Sequence, residues 1–189
     1  MRKEKPAEYY TGKGYLSKSR HKFTPLYMRI IDLLPEPSAA SMIVDFGCGV
    51  GYFAGRLLKL RYPNYIGIDF SQDMIDIASE RVPEYEYVLM SLYSEELEQF
   101  IKDYRIFTII ETLEHMENDI NVLNKIPSGS LIVGSVPRVD SLAHVRTFSG
   151  VNSVVDRYGS IIKFNYIYQA KVNTNKLQGG VTIFRGIKK

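Results

Sequence analysis

Asp45, Gly47, Gly49 and Gly51 stand at alternate positions in the stretch "IVDFGCGVGYF", residues 43–53. Glycine has no Cβ, so three of them behind a short apolar run let the backbone turn sharply and come close to a ligand. A dinucleotide fingerprint would need glycine where Tyr52 stands, and a Walker phosphate loop would need a Gly-Lys-Ser/Thr ending that is absent. Asp69 closes the next apolar run, "YIGID", about 20 residues on, the interval from which a carboxylate can grip ribose hydroxyls. The two features together describe a ligand cradle with a ribose-gripping carboxylate.

A second group carries acid–base chemistry. "ETLEH" supplies Glu111, Glu114 and His115, and "SLAHVRTFS" supplies His144. Carboxylates with imidazoles serve proton transfer, and they are equally suited to a divalent cation.

These residues need elements to position them. Leu26, Tyr27, Ile30, Ile31, Leu33 and Leu34 recur at helical spacing until Pro35 and Pro37 stop the pattern. After the glycine loop, Phe53, Leu57, Leu58 and Leu60 mark a helix that ends near Pro63, and Ser71 is placed to cap the helix "QDMIDIASERV". The alternation continues with "YEYVLM" as a strand, "SEELEQFIKD" as a helix and "IFTII" as a strand. "HMENDINVLNKI" then reads as a helix showing Met116, Ile120 and Leu123 on one face, and "SLIVGSV" as a strand closed by Pro137. Strands alternating with helices predict a parallel sheet covered on both faces, and hence put "ETLEH" and His144 at the carboxyl edge where such sheets bind ligands. "SIIKFNYIYQAKV" and "GVTIFRGIK" are joined only by "NTNKLQG", too short for a parallel crossover, so the last two strands are expected to be antiparallel.

The chain's 189 residues suit one domain with a full core, and no apolar run is long enough to cross a bilayer. The start, "MRKEKPAEYY", lacks the apolar segment of a secretory signal, and a lone cysteine, Cys48, excludes an internal disulfide; a cytoplasmic protein is expected. The net charge of +3 is concentrated in residues 1–22, a basic arm containing Tyr9, Tyr10 and Tyr15 that reads as a lid or as a solvated segment. Residues 23–189 are left with 17 basic and 19 acidic side chains, which argues against a nucleic-acid partner.

"IVDFGCGVGYF", "YIGIDFS", "FTIIETLEHM" and "SLIVGSVPR", in that order, resemble the successive signature segments of the class I S-adenosylmethionine-dependent methyltransferases. The resemblance implies a doubly wound, Rossmann-like α/β fold of about seven mostly parallel strands with an antiparallel C-terminal pair, over residues 23–189. It implies S-adenosylmethionine as cofactor: Asp45 and the backbone of Gly47, Gly49 and Gly51 toward its methionine portion, Asp69 on the ribose and Phe70 on adenine. Ser91 stands where the family often has an aspartate at the adenine amino group, Arg105 where the fourth strand often begins with aspartate, and Glu111 would line the donor pocket. The activity implied is methyl transfer to an oxygen or nitrogen of a small-molecule acceptor, with His144 or His115 taking the acceptor proton.

Two alternatives come from the same residues. Glu111, Glu114, His115 and His144 resemble the metal site of the Hen1-type RNA 2′-O-methyltransferases; we favour a metal-free reading because no second histidine follows His144 and the body lacks a basic surface. A catalytically silent donor-binding partner subunit is the other. Acceptor identity and oligomeric state are not legible.

Overall fold

The computed structural model describes residues 2–10, 23–171 and 180–189. Seven strands form one sheet: β1 (Met42–Phe46), β2 (Asn64–Asp69), β3 (Glu86–Leu89), β4 (Ile106–Ile110), β5 (Leu131–Pro137), β6 (Ile162–Ala170) and β7 (Val181–Lys188). Their order is β3-β2-β1-β4-β5-β7-β6; the first five are parallel, and β7 runs antiparallel to both β5 and β6. The predicted doubly wound sheet and antiparallel pair are therefore both present.

Among the described residues, six α-helices cover it: α1 (Thr24–Ile31), α2 (Tyr52–Lys59), α3 (Gln72–Arg81), α4 (Glu96–Ile101), α5 (Asp119–Lys125) and α6 (Val151–Tyr158). Side chains alternate across each strand. Val44, Phe46, Ile66, Ile68, Phe107 and Ile109 pack with Leu97 and Ile101 of α4, Val122 and Leu123 of α5 and Tyr158 of α6. Ile43, Tyr65, Val133 and Ile183 pack on the other face with Leu26 and Ile30 of α1, Phe53 and Leu57 of α2 and Ile75 of α3. Burial of both faces explains why β5 shows no polar alternation: all seven of its residues are buried.

Three local readings are corrected. Ser71 occupies the N-cap of α3, yet its hydroxyl makes no hydrogen bond, and its backbone N–H donates instead to Asp69 Oδ1 at 3.0 Å. The helix expected from His115 begins at Asp119, because Leu113–His115 form a separate 3-10 turn and Met116 is extended. Helix α6 was not apparent from the sequence: its "VNSVVDRY" is rich in β-branched and polar residues of low helix propensity, and the buried contacts of Val154 and Tyr158 override that preference.

Candidate functional site

At the carboxyl edge of β1 the backbone enters the left-handed region at Gly47 (φ 76°), Gly49 (φ 52°) and Gly51 (φ 75°). A Cβ on Gly47 would lie 2.6 Å from Thr112 Oγ1, whereas one on Gly49 would meet nothing within 4 Å; Gly47 is a packing necessity, and Gly49 is open to a ligand. Asp69, at the end of β2, accepts the Gly49 N–H through Oδ2 at 3.0 Å. With the Ser71 bond on Oδ1, each oxygen keeps lone-pair capacity for a diol. Burial raises its pKa, and the backbone donors at Ser71 and Gly49 oppose that shift.

Asp69 lines a recess of about 150 Å³ together with Gly47, Gly49, Phe70, Ser91, Tyr93 and Glu111. Six of the residues read from sequence as donor-binding thus share one cavity. Phe70 is 41% exposed, which leaves ring surface for a flat base. The Ser91 hydroxyl accepts the Tyr93 N–H at 3.2 Å. Gly51 instead serves as the N-cap of α2. Asp45 is 2% exposed, and both its oxygens are engaged, by Tyr65 Oη and Thr108 Oγ1 at 2.7 Å each. Burial lifts its pKa to about 6 against these hydrogen bonds.

A second cavity, of about 340 Å³, adjoins the recess and shares Gly47, Gly49, Met74, Glu111 and His115 with it. Tyr9, Phe23, Tyr27, Tyr52 and Phe53 supply aromatic wall, and Asp45, Glu114 and His144 also line it. Glu111, held at φ 53°, accepts the Ser135 hydroxyl through Oε1 at 2.8 Å, and burial pushes its pKa up to about 7. Glu114 is 1% exposed with Oε2 unpartnered; burial, and then the charge of Glu111, hold it well above the usual carboxylate range.

The two histidines meet, as their positions in the chain suggested: their ring centroids are 4.9 Å apart, edge to face. Each Nδ1 lies 3.0 Å from a backbone carbonyl, Ala143 O for His115 and Val139 O for His144. A carbonyl only accepts, so each Nδ1 carries the proton and each Nε2 is left as an acceptor. Burial lowers the His115 pKa to about 4 and shifts His144 in the same direction. One carboxylate oxygen of Glu114 and one ring nitrogen from each histidine lie within 4.8 Å of one another, a set able to hold a metal ion. Glu111 stands outside that set, so three of the four suspected ligands come together.

Residues 2–10 run across both cavities, and the remainder of the basic arm lies outside the described residues. Arg2 bonds Asp140 and the Ser141 carbonyl, Glu4 accepts the Tyr93 hydroxyl at 2.6 Å and the Glu117 N–H at 3.1 Å, and Tyr10 Oη sits 3.3 Å from His115 Nδ1. Tyr10 also packs edge-to-face on Phe70 at 5.9 Å. Two contributors escaped the sequence reading. Tyr27 reads there as one more member of the α1 apolar stripe. Arg146 donates to the carbonyls of Leu113 (2.7 Å), Met116 and Glu117 (3.0 Å) and pairs with Asp119 at 3.0 Å, so it ties the loop bearing His144 to the turn bearing His115. Its only signal was its position two residues after His144.

Residues 43–127 match the family model described as a methyltransferase domain. That match takes in the glycine loop, Asp69 and the turn bearing Glu114 and His115, and it agrees with the resemblance of these segments to the class I S-adenosylmethionine-dependent methyltransferases. Solved structures share the fold at low identity. The N-methyltransferase NodS from Bradyrhizobium japonicum, in complex with S-adenosyl-L-homocysteine, is 14% identical with a TM-score of 0.71 over 96% of each chain. A complex of the Haloferax volcanii Trm112 methyltransferase activator with a methyltransferase gives 12% and 0.73 over 99% of each chain. Magnesium protoporphyrin IX methyltransferase from Synechocystis, with S-adenosylmethionine bound, gives 12% and 0.66 over 97% of this chain and 95% of that one. No curated protein sequence matches the chain.

Proposed function

We propose that this methyltransferase acts on an oxygen or nitrogen of a small-molecule acceptor held in the aromatic cavity beside His144. The observation that carries the reading is the junction of the two cavities: the recess with the ribose-gripping Asp69 opens, past Gly49 and Glu111, into a space lined by two neutral imidazoles. When bound, S-adenosylmethionine supplies an electrophilic methyl on a good sulfonium leaving group. The chain's own work is positioning, water exclusion and proton removal. Asp69 and Gly49 seat the donor, Phe70 packs on its base, and the buried Asp45 stiffens the loop on which the donor rests. Residues 2–10 form a lid, with Tyr9 and Tyr10 covering the reacting space. His144, neutral at physiological pH, takes a proton from the acceptor through Nε2, and His115 holds the facing edge.

The test is a methyl-transfer screen over alcohols, phenols and amines with His144→Asn alongside. Turnover that drops in the variant at unchanged donor affinity supports the reading; full activity of a folded His144→Asn removes the proton role. The Glu114, His115 and His144 cluster favours one second reading, a metal-assisted transfer, under which chelation abolishes wild-type activity and added Mg²⁺ or Mn²⁺ restores it.

A further inference from the structure

Among the described residues, no donor bonds Glu114 Oε2 or the Nε2 of His115 and His144, three groups that line the aromatic cavity. Glu114 Oε2 is buried and unpartnered, and the two imidazoles have committed their Nδ1 protons to Val139 and Ala143, so each presents a lone pair at Nε2. Glu114 Oε1 lies 3.5 Å from His115 Nε2, and the three groups converge within 4.8 Å. Unpaired acceptors buried together are unfavourable unless a ligand supplies donors or positive charge. Glu114 lines this cavity but not the donor recess, whereas Glu111 lines both, so Glu114 faces the acceptor space, where an approaching ammonium would favour its ionised form. No Lys or Arg lines the cavity among the described residues, and aromatic rings form much of its wall. That wall has no use for a bare metal ion, but it suits the face of an organic cation.

We propose that the acceptor is a primary or secondary amine carrying an apolar body, bound by its nitrogen at Glu114, His115 and His144. The inference rests on the methyl-transfer reading and names its substrate class. An ammonium offers up to three N–H donors to three acceptors. One proton passes to His144 Nε2, which frees the nitrogen lone pair, while Glu114 and His115 keep the remaining N–H groups or the cavity wall takes the second substituent. The lone pair forms the new C–N bond to the sulfonium methyl, the C–S electron pair stays on the donor sulfur, and the positive charge moves from sulfur to the product ammonium. An anionic acceptor would be repelled by Glu111 and Glu114.

The experiment measures binding of phenethylamine, 2-phenylethanol and phenylacetate to the S-adenosylhomocysteine complex by calorimetry, with chelator present, and then labelled-methyl transfer to each. The amine should bind and be methylated, and Glu114→Gln should weaken its binding about 10-fold or more at unchanged S-adenosylhomocysteine affinity. The inference is overturned if the alcohol or the carboxylate binds as well as the amine, if folded Glu114→Gln binds the amine as wild type does, or if amine binding appears only with a divalent ion. Methylation of 2-phenylethanol without methylation of the amine sinks the amine class and leaves methyl transfer standing. Amine binding sensitive to Glu114 with no transfer to any acceptor leaves the amine site and sinks the transfer reading.

Discussion

Replacing Asp69 with asparagine removes one charged acceptor from the recess that we assign to the donor while preserving shape. In the wild type each carboxylate oxygen receives one backbone N–H, from Gly49 and Ser71, both at 3.0 Å, and a diol would bond the remaining lone pairs. The amide keeps one acceptor oxygen and turns an NH₂ toward either a backbone N–H or a ribose hydroxyl. A hydrogen bond to a charged group is worth about 1.5–3 kcal/mol, so the donor dissociation constant should rise roughly 10- to 150-fold. The same amide faces a backbone donor, and an unsatisfied buried N–H costs about 1–3 kcal/mol, enough to lower Tm by several degrees. Calorimetric titration with S-adenosylmethionine well below the variant's melting point separates the two effects. A folded Asp69→Asn protein that binds the donor within about threefold of wild type would refute the assignment, since that difference is well under the 1.4 kcal/mol of a tenfold change.

Three further outcomes follow from the site. Burial holds Glu111 near pKa 7, so a nearby sulfonium should drive its ionisation: donor binding should tighten from pH 6 to 8 and release protons, seen as buffer-dependent enthalpies that vanish in Glu111→Gln. His144→Asn should lower turnover by about 10²- to 10⁴-fold, and because burial lowers both histidine pKa values, wild-type kcat should fall with acid only below the usual imidazole range and stay flat above it. Asp119 is fully buried and bonded by Arg157 at 2.6 and 2.7 Å, Tyr158 at 2.6 Å and Arg146, so Asp119→Ala should cost about 3–5 kcal/mol in denaturant unfolding; a loss under ~1 kcal/mol would contradict the clamp.

The recess around Asp69 was legible because its parts are local. Gly47 to Gly51 occupy one turn, Asp69 ends the next strand, and the parallel pairing of β1 with β2 puts both at the same sheet edge. The junction of His115 with His144 could be anticipated only from topology, since Ala143 and Val139 set the ring orientations through carbonyls that no spacing reveals. Arg146 and Tyr27 gave no usable signal: one acts by hydrogen bonds to three backbone carbonyls, and the other hides in an apolar stripe. The insertion of β7 between β5 and β6 was equally hidden, because a short connection fixes antiparallel pairing but not which of the two strands lies at the edge.

The most direct measurement is transfer of a labelled methyl group from S-adenosylmethionine to an acceptor, run beside donor binding in wild type and Asp69→Asn. The structure predicts label on the acceptor, lost in proportion to donor affinity at subsaturating donor and recovered as the donor is raised. Saturable donor binding with no label on any alcohol, phenol or amine would contradict the account and leave a donor-binding partner subunit in its place.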